Sequence, residues 1–375
     1  MHRDTEHPAV RLVALATLAV LILSAGCSDD DDDPTAPAIT DTEARFWVGT
    51  LTGDATRDTW EVALALDREG PDLDGQLLLL DRIGGVWQLF QVLGTVADHT
   101  VDLEIDPAHG ADPDDFACRL SGWEGGLAGT LTVGWTSTGG AVSVRDVPRR
   151  TLIEVGARMH EEGFSGLVHD GDQLWLPTFG EGWHRYDDEG SYLGLTEVLL
   201  HDPDIYWTSP HVAWDGAFLH GSHPVNVSGD DGTTHVADIV TFTSGGVVET
   251  RTRISHRTRG LAWDGEAFYS LDPDAGHLHR VAPDGQDLAV RNLEVSDLYH
   301  LEVADGRLFA QGWFLQHLFE LDAEGTLVAV HDYPAGRDVV GPRGGALAPD
   351  GDLLCGVQIR GGASMVLAVA LPAAD

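Results

Sequence analysis

Lysine is absent from this chain: all 22 basic residues are arginine. That removes Schiff-base chemistry, a Walker-type phosphate loop and a Ser-Lys dyad, each of which needs an amine on a flexible stem. Cysteine is nearly as scarce, with three residues in 375. Cys118 and Cys355 lie far apart and are expected as buried free thiols, so neither a disulfide framework nor a thiolate metal site is on offer. A long run of period 3.6 is missing, and so are a Gly-x-Ser-x-Gly elbow and a His-Glu-x-x-His helix. Positive charge is in deficit throughout. At a formal charge of −39 the chain would repel a phosphate backbone, which argues against nucleic acid as a partner.

What is present begins with Leu12 to Leu23, an almost wholly apolar run of 12 residues. As a helix it would cover about 18 Å, against roughly 30 Å of bilayer hydrocarbon, so it has the dimensions of a signal-peptide core. The run ends in Leu23-Ser24-Ala25-Gly26-Cys27, which resembles the lipobox of bacterial lipoproteins. Ser24 departs from the usual leucine, and Asp4 and Glu6 dilute the positive start. The resemblance implies a signal peptide over 1–26, a diacylglycerol on Cys27, and a chain anchored to the cell envelope outside the cytoplasm. In the family an aspartate directly after the cysteine favours retention in the inner membrane, so by the same resemblance Ser28 at that place implies the outer membrane. Residues 27–44, with the aspartates Asp29 to Asp33 and the prolines Pro34 and Pro37, read as a solvated spacer.

The rest has an all-β composition, rich in glycine and turns. Between 45 and 149, eight short alternating runs with tight links predict an up-and-down meander closing into a small barrel. The Phe46-Trp47-Val48-Gly49-Thr50 opening and repeated Gly-x-Leu turns resemble lipocalin-like small barrels of bacterial lipoproteins. Such a barrel could be filled by its own side chains or hold one small apolar ligand.

From 150 to 375 the signal is a repeat. Asp-Gly pairs at Asp170, Asp215, Asp264, Asp305 and Asp350 stand 45, 49, 41 and 45 residues apart, each after an apolar strand. That period with four strands per unit predicts a β-propeller of five blades, or six if part of the first domain joins. The fifth unit lacks its outer strand, and Thr151–Ala157 is expected to supply it and close the ring. The pattern resembles NHL, YncE-like and SMP-30-like propellers, which implies architecture alone.

Aligning the repeats puts His211, Arg259 and His300 at neighbouring positions where the inner strands begin, so the three could converge near the axis. A histidine-arginine cluster would suit an anion such as a carboxylate or sugar acid. Their bonding to nearby loop carbonyls is the other reading. Trp183 and Trp313, with Trp207, could form an aromatic platform, or could wedge blades together. His220 with His223 and Asp272-Pro273-Asp274 look like turn chemistry, so no metal, cofactor or catalytic residue is assigned. The reading favoured is a recognition or scaffold lipoprotein binding a partner protein, glycan or small anion at the funnel. Alternatives are a metal-dependent propeller lactonase of the envelope and an apolar-ligand carrier acting through the barrel.

Overall fold

Period-two strands dominate the described residues in a computed structural model. It describes residues 42–53, 59–81, 86–106, 116–123, 125–133, 138–160, 163–178, 182–197, 211–229, 232–272 and 275–371. Cys27, the leader, the acidic spacer, Trp207 and Asp274 lie outside the described residues. Among the described residues no helix is long and apolar enough to cross a membrane.

Strands β1 (Thr42–Gly53), β2 (Thr59–Glu69), β3 (Asp72–Asp81), β4 (Val86–Ala97), β5 (Thr100–Ile105), β6 (Phe116–Ser121), β7 (Gly126–Val133) and β8 (Thr138–Val147) each pair with the next, and β1 pairs back with β8. This is the expected up-and-down barrel. Alternation decides what faces in: along β6, Phe116, Cys118 and Leu120 are buried while Ala117, Arg119 and Ser121 are exposed. The inward side chains, among them Trp47, Leu64, Leu77, Phe90, Trp123 and Leu131, form one buried cluster. The barrel interior is thus a packed core. Gly49 lets the closure happen, because a Cβ there would lie 2.0 Å from the Ser143 carbonyl oxygen on β8.

One wall of the barrel is apolar on both faces. Phe46, Val48, Ala63, Ala65 and Leu78 point outward and are buried against Leu293, Leu315, Phe319 and Val330 of the propeller. Burial on both faces is why β1 and β2 read as nearly continuous apolar runs. Residues Thr40–Asp375 form one compact unit.

After β9 (Arg149–Thr151) and β10 (Glu154–His160) come the blades. Blade one is β11 (Val168–His169), β12 (Leu174–Thr178), β13 (Gly182–Tyr186) and β14 (Tyr192–Thr196). Blade two is β15 (Val212–Trp214), β16 (Leu219–Gly229), β17 (Gly232–Phe242) and β18 (Val248–Ile254). Blade three is β19 (Leu261–Trp263), β20 (Phe268–Asp272), β21 (His277–Val281) and β22 (Asp287–Asn292). Blade four is β23 (Leu298–Ala304), β24 (Arg307–Gly312), β25 (Leu318–Leu321) and β26 (Leu327–Asp332). Blade five is β27 (Val339–Leu347), β28 (Leu353–Ile359) and β29 (Ser364–Val369), with β10 outermost. The inner strands β11, β15, β19, β23 and β27 touch in succession, and β27 returns to β11, so the ring is closed.

The closing strand is Glu154–His160, three residues later than expected, and it pairs antiparallel with β29 from Glu154 opposite Val369 to His160 opposite Ser364. Thr151, the first residue of the expected span, instead ends β9, which adds to blade four parallel to β26, Arg149 opposite Val330. No barrel strand joins the ring, which leaves five blades and rules out the six-bladed alternative.

The Asp-Gly pairs are the predicted hairpin turns, with φ between 73° and 98° at Gly171, Gly216, Gly265, Gly306 and Gly351. The aspartate caps the turn: Asp215 Oδ1 accepts from the amides of Ala217 and Phe218, at 2.8 and 2.7 Å. Cys118 and Cys355 are buried free thiols, as expected, and burial pushes each up to about 12.

Candidate functional site

Blades two and four are not neighbours in the ring, yet the His211 and His300 rings stand only 5.1 Å apart by centroid. Side chains from non-adjacent blades can meet only near the axis. Arg259, from the intervening blade, completes the group: its backbone carbonyl accepts a 2.8 Å hydrogen bond from the His300 amide. The three residues placed together by repeat alignment are therefore together in space.

The backbone shows how His300 gets there. In β23 the ladder steps from Tyr299 opposite Gln311 to Leu301 opposite Ala310, leaving His300 as an unpaired bulge residue. Its φ is 52°, in the left-handed region that a β-carbon disfavours. Released from its own ladder, its amide turns to the neighbouring blade. Close approach there also requires Gly260, where a Cβ would meet Leu271 Cδ1 at 2.7 Å and the His300 carbonyl carbon at 3.1 Å. Bulges next to recruited side chains re-aim them, and this one aims an imidazole at the axis.

From Arg259 an aromatic shelf leads outward. Its guanidinium lies 4.8 Å from the Tyr299 ring centroid and bonds the Tyr299 hydroxyl. Tyr299 in turn packs 5.1 Å from Trp313, which is 40% exposed. The loop bearing Trp313 is held from below by Asp297, whose carboxylate accepts from the amides of Phe314 and Leu315. Burial outweighs those bonds and pushes the Asp297 carboxyl up to about 7. The barrel reaches this loop as well, with Trp87 packed 3.9 Å from Phe314.

The charge at the axis is not carried by the histidines. Burial, then His300 and the arginines Arg259 and Arg257, hold His211 well below the usual imidazole range. Burial and Arg343 bring His300 down to about 3. Both rings are neutral at pH 7 and act as hydrogen-bonding groups, so the positive potential comes from arginine. The same strand carries a half-buried carboxyl: Glu302, on β23, has its Cβ close to where a side chain on Gly345 of β27 would begin. Burial raises Glu302 to about 8, so at neutral pH it is a neutral hydrogen-bond donor. The chemistry on offer is cationic forks, an uncharged acid, two neutral imidazoles and a flat aromatic edge.

Trp183 is not part of this group. It is 1% exposed in the seam of blades one and two, against Trp175 at 6.2 Å and Phe242 at 5.5 Å. His220 bonds Asp215 at 2.8 Å, inside its own turn. Glu302 was missed by repeat alignment because it falls two positions past His300; an acidic residue inside the apolar Leu301–Ala304 run was the available signal. Two clefts lie off the axis, about 450 Å³ at the seam of blades five and one, and about 390 Å³ between barrel and propeller near Arg149 and Asp332.

No protein-family model matches the chain, and no curated protein matches it. Among solved structures it is similar to glutaminyl cyclase from Myxococcus xanthus, at 19% identity and TM-score 0.45, over 61% of this chain and 100% of that one. It is similar to a putative glucose dehydrogenase from Thermus thermophilus, at 14% identity and TM-score 0.36, over 57% and 100%. A third is the PQQ-bound aldose sugar dehydrogenase from Streptomyces coelicolor, at 12% identity and TM-score 0.39, over 59% and 98%. These likenesses are to propeller enzymes and, at such values, carry no argument about activity.

Proposed function

We propose that this chain is a lipid-anchored recognition protein of the bacterial cell envelope whose propeller axis binds a small organic anion, a carboxylate or a sugar acid. The observation that carries the reading is the meeting of His211 and His300 across the axis, with the Arg259 carbonyl bonded to the His300 amide. A guanidinium offers a carboxylate two parallel donors. Tyr299 and Trp313 give the C–H face of a sugar ring a surface to lie on.

The charge of the whole chain sharpens the choice. At −39 overall, long-range fields repel anions, so a polyanion gains nothing while a small one is drawn only by the local arginines. The export segment ending at Cys27 supports placement outside the cytoplasm, and the acidic spacer supports standoff from the lipid surface.

The test is calorimetric titration with glucuronate and galacturonate, with glucose and galactose as uncharged counterparts, on the wild type and on Arg259→Ala. The acids bind, the neutral sugars do not, and the substitution weakens binding at least about tenfold, or about 1.4 kcal/mol. Equal binding of acid and neutral sugar, or no binding of uronates and simple mono- and dicarboxylates, overturns the reading.

A further inference from the structure

Away from the axis, blade three gathers three side chains that no turn or core requirement explains together. His256 follows β18 on the connection into the blade, His279 lies on β21, and Asp287 opens β22. One ligand atom from each lies within 4.8 Å of the other two, and among the described residues this is the one such group of three. We propose that His256, His279 and Asp287 form a binding site for a divalent transition-metal ion of zinc type.

The geometry carries it. His279 Nδ1 is 3.1 Å and His256 Nδ1 4.0 Å from the same carboxylate oxygen, Oδ1 of Asp287. The two imidazoles are stacked, with centroids 3.6 Å apart and planes 15° from parallel. With metal-ligand bonds of about 2.0 to 2.1 Å, tetrahedral ligands stand about 3.3 Å apart, so the His256–Asp287 edge must close from 4.0 Å and the stacked rings must turn out of parallel to aim both lone pairs at one ion, a rotation about the side-chain bonds with no change of backbone.

The surrounding bonds prepare the ligand atoms. His256 Nε2 bonds Ser270 Oγ at 2.8 Å, and Ser270 is wholly buried. With its proton on that nitrogen, His256 presents a lone pair on Nδ1, a buried atom with no hydrogen-bond partner. Ser255 Oγ donates to Asp287 Oδ2 at 2.8 Å, which holds the carboxylate and leaves Oδ1 facing the rings. For His279 to ligate, its proton sits on Nε2 in place of Nδ1, a change of tautomer with no change of charge; that Nε2 is also buried without a partner. Asp287 is partly exposed, which provides a route in and room for water as fourth ligand. Two imidazole nitrogens and one carboxylate oxygen are too few and too soft for calcium or magnesium and suit zinc or cobalt.

The experiment uses the full chain, stripped with chelator and loaded with Zn²⁺ in excess Mg²⁺ and Ca²⁺ to occupy the acidic surface. After gel filtration, metal content is measured on wild type, His279→Gln, Asp287→Asn and His277→Gln. The wild type and His277→Gln retain one equivalent and unfold at a higher temperature with Zn²⁺ than without; the two trio variants lose both. Co²⁺ in the wild type gives the intense visible absorption of a four-coordinate site, a readout that survives if a variant fails to fold. No retained zinc and no such absorption in the wild type, or full retention in folded trio variants, overturns the proposal.

Discussion

The carboxylate of Glu61 on the barrel grips Ser296 of the propeller twice, its Oε1 accepting from the hydroxyl at 2.9 Å and its Oε2 from the backbone amide at 3.0 Å. This bond stands at the edge of the apolar seam that joins barrel wall to blade four. Arg145 and Glu294 form an ion pair beside it.

Glu61→Ala should therefore weaken the whole molecule. Loss of a charge-assisted bond that leaves a part-buried amide unsatisfied costs about 1 to 3 kcal/mol. Urea unfolding of wild type, Glu61→Ala, Ser296→Ala and the double variant measures it, and the double should be far less than the sum of the singles. Strict additivity would mean the two groups do not interact.

Ring closure is tested on β10. Ala157 is exposed and its partner in the ladder is Leu367, so Ala157→Pro acts through the backbone alone. A proline there fixes φ and sets its ring within the edge strand, which loosens the pairing and frees the edge of β29. Expected are a loss of about 1 to 3 kcal/mol in urea midpoint analysis and new oligomers in size-exclusion chromatography. A monomer of unchanged stability would show that β10 contributes nothing to closure.

His300 pits stability against binding. With φ at 52°, glycine is at ease where any other residue is strained. His300→Gly should be more stable than His300→Ala by about 1 kcal/mol, while both lose uronate binding. Thermal unfolding and titration on the same preparations decide it; equal stabilities would mean the bulge relaxes without its imidazole.

Glu302 gives a pH signature. Its carboxyl titrates at about 8 when folded and near 4.5 when not, so between those values the folded chain holds a proton the unfolded chain has released. Stability from this group is fully present below pH 4.5 and declines as pH rises through about 8. In Glu302→Gln that decline disappears. His300 works in the opposite sense at lower pH: its folded value near 3 lies below the usual 6.5, so its contribution is present above 6.5 and lost on acidification. Denaturation midpoints across the two windows in wild type and Glu302→Gln separate the two groups; identical profiles would refute the Glu302 assignment.

The anchor has its own test. Cys27→Ser should abolish incorporation of a clickable fatty acid and move the chain from the membrane fraction to the soluble one. Unchanged partitioning would remove the lipid from the account.

The architecture was largely legible, because each blade writes its tight turn as Asp-Gly, and only a residue free to take positive φ serves there. Even so, blade two puts the positive φ of its outer turn on Gly246 and not on Gly245, a choice that two adjacent glycines do not announce. The axial group was half legible. Alignment found His211, Arg259 and His300, but the bulge that aims His300 depends on contacts with another blade and leaves no local mark. His256, His279 and Asp287 escaped notice because they stand on three separate segments, brought side by side only by strand register: His279 opposite Val290 and Ser270, with Ser270 bonded to His256.

One short stretch serves two masters. Residues 149 to 160 leave the barrel, lie along blade four as β9, and a few residues later fasten blade five as β10. Tension applied at Thr42 must first shear the ladders of β1 with β2 and β8 before it travels along this stretch. Antiparallel ladders loaded along their length resist together, many hydrogen bonds at once, so on the proposed reading of a lipid anchor at Cys27 the barrel is a strain relief between that anchor and the ring.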